Sequence, residues 1–129
     1  MKPLMVPSSL KWFEALALVG FAIRTWLYLE YVRAHGTLEA YDVIGVIIGF
    51  VIAAGLVFLT SRRRKRWAKW MLIFVIVSTA MAFAGNLERA VRADAFTFTI
   101  NMAHHFVMLI AIALLFTSDA KNYFLAKVE

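Results

Sequence analysis

Three stretches of this chain run for 18 residues or more without one Asp, Glu, Lys or Arg: residues 43–61 (19 residues), 70–87 (18) and 95–118 (24). A hydrocarbon core about 30 Å thick is crossed by about 20 helical residues, so each stretch has the length of a membrane span. None alternates apolar and polar residues as a membrane strand does, and a lone segment in lipid must satisfy its own backbone, which selects helix. A fourth stretch, residues 12–31, is less clean: Glu14 lies near its start, Arg24 inside it and Glu30 near its end. Lys2, Lys11 and the apolar residues 15–23 resemble a signal peptide, but Arg24 follows where a small-residue cleavage site belongs, so this stretch also reads as a retained span.

The expected fold is an all-α integral membrane protein, a single four-transmembrane-helix bundle over residues 1–129 with spans at about 12–31, 43–61, 70–87 and 96–117. Composition agrees: 63% of the residues are hydrophobic, against roughly 45–50% in soluble domains. No repeat, Gly/Ser linker or low-complexity segment divides the chain, and both prolines, Pro3 and Pro7, precede the first span. The absence of cysteine excludes disulfides, thiolate metal sites and cysteine nucleophiles.

Charge sets the orientation. The loop after the second span carries Arg62, Arg63, Arg64, Lys65, Arg66 and Lys69 with no acid, so it belongs in the cytoplasm. Four spans put both termini on the same side, adding Lys2, Lys11, Lys121 and Lys127. The opposite face has only Arg33, Arg89 and Arg92, together with Glu30, Glu39, Asp42, Glu88 and Asp94. Trp12, Trp67 and Trp70 fall at the cytoplasmic boundary, where indoles prefer to sit. The net charge of +6 therefore reports topology. A basic strip clamped between two membrane entries has no groove-reading element, which argues against nucleic acid; anionic lipid headgroups are the partner it suits. Residues 118–127 suit either a short interfacial helix capped by Ser118, with Tyr123 and Phe124 at headgroup level, or a frayed tail.

Two features inside the spans stand out. Gly45, Gly49 and Ala53 recur at steps of four, the spacing that lets helix backbones approach closely, either within the bundle or between subunits. Arg24 lies roughly 10 Å below the outer boundary at Tyr31, where an ionised side chain costs ~2.5–3.5 kcal/mol on insertion scales and needs a partner. Tyr28, Asp42, Asn86, Glu88, Asn101, His104 and His105 are the polar candidates at that level, with Glu30, Asp42 or Glu88 expected to neutralise the arginine. Thr97, Asn101 and His105 form one stripe, and His104 is rotated about 100° away from it. Glu88 and Arg92, four apart, fit a helix-end ion pair.

No metal or cofactor is expected. His104 and His105 are adjacent on one span and His35 is in a loop, so no facing axial pair exists for haem, and the Glu-x-x-His pattern of di-iron bundles is missing. No set of nucleophile, base and stabiliser is complete, which argues against an enzyme. The chain then reads as a structural or accessory subunit of a larger membrane assembly in a bacterial inner membrane, joined to other subunits or to itself. The alternative is a small homo-oligomeric channel or transporter with an outer-leaflet pocket around Arg24 and His105. The topology is checked with single cysteines, which the chain lacks: Lys65→Cys should react with an impermeant maleimide only from the cytoplasmic side, and Ala90→Cys only from the opposite side.

Overall fold

A computed structural model describes residues 5–92 and 94–126; Lys2, Pro3, Lys127 and the side chain of His35 lie outside what it describes. All regular structure among the described residues is helical: α1 (Ser8–His35), α2 (Ala40–Ser61), α3 (Arg66–Gly85), α4 (Leu87–Arg92), α5 (Ala95–Leu114) and α6 (Ser118–Leu125). Four of these, α1, α2, α3 and α5, are long and apolar enough to cross a membrane.

The helices begin and end where local chemistry satisfies their free backbone groups. α2 starts at Ala40, ahead of the expected 43, because Glu39 and Asp42 form a reciprocal capping box in which the Glu39 amide donates to Asp42 Oδ2 at 3.1 Å. α3 stops at Gly85, where Asn86 turns out of helical geometry and its side-chain amide donates to the Ala82 carbonyl at 2.9 Å. Asp94 caps α5 by accepting from the Thr97 amide. The last apolar stretch divides at Thr117, whose hydroxyl oxygen accepts from the Ala120 amide and starts α6. Thr117, rather than Ser118, is thus the cap of the C-terminal helix.

α1 is the central helix: it packs against α2, α5 and α6, while α2 packs against α3 and α3 touches α5. The core lies mainly at the basic end of the bundle. Leu10, Phe13 and Ala17 of α1 are fully buried in one cluster with Val57, Leu72 and Leu115, which also takes in Tyr123 and Phe124 of α6. The two aromatic residues expected at headgroup level are therefore buried. The outward faces remain apolar, with Ile44, Ile47, Ile48, Val51 and Ile52 of α2 all exposed.

Between apolar helices in lipid, close packing replaces the hydrophobic effect as the source of association, and the chain uses glycine for it at one place. Gly20 is buried, and a Cβ there would collide with the Met108 side chain of α5. The spacing at Gly45 and Gly49 gives a different outcome. A Cβ at either position meets nothing within 4 Å, so these glycines do not pack against an internal neighbour; Ala53 alone of the three lies against the core. Gly20→Ala is expected to cost about 1–3 kcal/mol through overpacking, with Met108→Ala restoring part of the loss. Gly45→Ala should be neutral or up to about 1 kcal/mol stabilising through helix propensity. Unfolding in mild detergent measures both.

Candidate functional site

Glu14 fixes the register of α1 against α2. Its carboxylate accepts from Arg62 through Nε–H at 2.6 Å and through Nη2–H at 3.0 Å, and from the buried Ser61 hydroxyl. The Ser61 oxygen also lies 2.9 Å from the Val57 carbonyl, but a hydroxyl has one proton, and the charged acceptor takes it. The same carboxylate holds Arg62 above the ordinary guanidinium pKa, by hydrogen bonding first and charge second.

Ten residues beyond Glu14, about 15 Å along α1, Arg24 lies level with the middle of α2. Its Nη1–H donates to Thr79 Oγ1 at 2.8 Å, and the Thr79 hydroxyl donates in turn to the Val75 carbonyl at 2.8 Å. None of the expected carboxylates neutralises it. Glu30 pairs with Arg33 at 3.0 Å, Glu88 pairs with Arg92 at 3.0 Å as its spacing suggested, and Asp42 caps α2. These acids lie at helix ends, where local partners of their own are within reach. Arg24 extends instead across to α3 and finds a neutral hydroxyl.

Arg24 lines two spaces. The larger is an open groove of about 580 Å³ between α1, α2 and α3, within the 300–1,000 Å³ range of small-molecule sites. Its walls are mostly apolar, with Phe21, Phe50, Leu56 and Val75 among them, and Gly45 and Gly49 leave its α2 side flat. Tyr28, Tyr41 and Asp42 line it toward the acidic end. The smaller space lies between α1, α3 and α5, where Arg24 and Thr79 face His104 and His105.

The structure thus brings Arg24, Tyr28 and Asp42 to the groove, and Arg24, His104 and His105 to the void. It does not bring in the others. Asn86 caps α3, Glu88 is held by Arg92, and the Asn101 amide donates back to the Thr97 carbonyl of its own helix at 3.1 Å. Of the two histidines, His104 is the buried one at 3% exposure, whereas His105 is half-buried with its ring centroid 4.5 Å from that of Phe83.

The basic strip also separates into two sets. Arg62 is held by Glu14. Arg64 has a left-handed backbone (φ 53°), unusual for a non-glycine residue, and its Nη1–H groups donate to the carbonyls of Tyr123 and Ala126 at 3.2 and 3.1 Å, with the guanidinium 5.4 Å from the Tyr123 ring centroid. Lys69 lies 4.4 Å from the Phe116 ring centroid and 5.0 Å from that of Phe124. These three cations fasten α6 and the α2–α3 turn to the bundle. Arg63, Lys65 and Arg66 are exposed, and their side chains make no hydrogen bond or ion pair among the described residues.

Sequence reasoning passed over Glu14, Thr79 and Gly20. Glu14 was legible in principle, since an acid just inside an apolar stretch needs a cation at the same level, and Arg62 follows the next span. Thr79 carries no such signal, because a threonine in a membrane helix most often bonds its own backbone. Comparison with protein-family models, with curated proteins and with solved structures returned no match. Glu14→Gln should lower the melting temperature clearly more than Glu88→Gln, because Glu14 is mostly buried and meets two donors while the Glu88–Arg92 pair is exposed; thermal unfolding of the two variants side by side checks this.

Proposed function

We propose that the chain is a small integral membrane protein, with both termini in the cytoplasm, that binds an anionic amphiphile in the groove between α1, α2 and α3. One observation carries the reading: a guanidinium without a carboxylate partner among the described residues lies on the wall of an apolar groove. Intramembrane ionisable groups mark substrate and ion paths more often than structural contacts. The apolar walls suit a hydrocarbon body, and Arg24 suits a carboxylate or phosphate, which its planar fork can bind through two parallel hydrogen bonds. Asp42 does not oppose this, because its charge lies about 13 Å nearer the acidic end along α2 and at a helix N-terminus, where a negative charge is favoured. A transporter built on the site requires a homo-oligomer, since one 129-residue chain has little room for alternating access.

A second reading has its own support. Gly45 and Gly49 open onto empty space, which suits the helix of another subunit and hence an accessory role in a larger assembly of the bacterial inner membrane. Native mass spectrometry after gentle extraction distinguishes the two. The ligand reading expects a negatively charged amphiphile retained on the chain or its homo-oligomer, reduced about tenfold or more in Arg24→Gln, as the loss of a charge-assisted bond implies, and partly kept in Arg24→Lys. The accessory reading expects unrelated subunits, lost in Gly49→Leu and kept in Arg24→Gln. Retention unchanged by Arg24→Gln overturns the ligand reading.

A further inference from the structure

His104 has an unmet need. It is 3% exposed, its ring lies against the Gly20 backbone, and its Nδ1 has no hydrogen-bond partner among the described residues. A buried ring nitrogen requires a partner in either tautomer: a donor when it is an acceptor, an acceptor when it carries the proton. The neighbouring protein groups do not supply one. The single Thr79 proton is given to Val75, and the His105 ring stacks on Phe83.

The His104 side chain lines the void between α1, α3 and α5, which leaves about 10 Å³ for the centre of a water-sized sphere. That is the lower limit for one water and too little for a hydrated ion. The opposite wall is Arg24, whose guanidinium has five N–H donors and is described with one of its nitrogens bonded to Thr79. A cation is disfavoured beside that charge.

We infer that the void is a hydration site for a single water molecule, bound between His104 Nδ1 and the Arg24 guanidinium. The water accepts from Arg24 and either donates to Nδ1 or accepts from it, so that it satisfies both neighbours whichever tautomer the imidazole adopts. The Arg24 guanidinium then has the Thr79 hydroxyl on one side and the water on the other. This inference does not rest on the groove binding a ligand.

The test uses the wild-type chain, uniformly labelled with 15N and reconstituted in phosphatidylcholine bilayers, with solid-state NMR transfer of magnetisation from water to backbone and side-chain nitrogens. A transfer to His104 Nδ1, persisting when mobile bulk water is filtered out, is the expected result. Thr79→Val should keep the signal, because Thr79 has no proton to offer the water, whereas Arg24→Leu should lose it by removing one of the two anchors. No transfer to Nδ1 at mixing times that reach the exposed 62–65 turn overturns the proposal. So does a signal that survives Arg24→Leu at full strength. A high-resolution density map is an independent check, with an ordered peak within about 3 Å of Nδ1 expected and an empty void overturning the inference.

Discussion

A carboxylate placed just inside an apolar helix has to be solvated by the protein around it, and in this chain Glu14 is solvated by the end of α2. The two hydrogen bonds from Arg62 and the third from Ser61 set the height of α1 against α2. Everything else takes its level from that contact. It places Arg24 beside the middle of α2, brings Gly20 to the α5 crossing at Met108, and closes the basic end over Leu10 and Phe13. Toward the opposite ends of α1 and α2 the groove opens.

The chain uses its cations unevenly. A run that looks uniform in sequence divides by position in the turn: Arg62 reaches back to α1, Arg64 reaches down to α6 from a left-handed backbone, and Lys69 covers the aromatic residues that α6 presents. The remaining members, Arg63, Lys65 and Arg66, are exposed. Together with the exposed Lys11 and Lys121 they are the cations at that end free to attract anionic headgroups, at up to about 1 kcal/mol for each residue near the surface, while loss of Arg64 or Lys69 acts first on the packing of α6.

Three of the four long helices were legible because charge-free length is a property of the sequence itself, and α1 because its apolar run continues past Glu14 and Arg24. Their ends were less so, since capping by Glu39, Asp42 and Thr117 moves a boundary by a few residues without changing the apolar pattern. The polar residues show the same divide. Glu88 and Arg92 are four apart on one helix, and their pairing follows from spacing alone. The partner of Arg24 depends on which helix stands across from it and how high, and neither follows from spacing within one element. Gly45 and Gly49 have the sequence pattern of a helix contact, but the pattern does not say whether a helix is there, and within this chain the adjoining space is a groove.

The length of α1 bears on how that groove meets its surroundings. Twenty-eight residues extend about 42 Å, some 12 Å more than a hydrocarbon core of about 30 Å. A helix anchored at its start by Glu14 accommodates the excess by tilting or by emerging as a stalk beyond the far interface. Were α1 to stand upright in a bilayer, Tyr28 would lie about 30 Å above Ser8, close to the far interface where phenols partition, and the groove bordered by Tyr28 would face the acyl chains sideways. A guest would then enter from within a leaflet and slide between helices, with no passage through water.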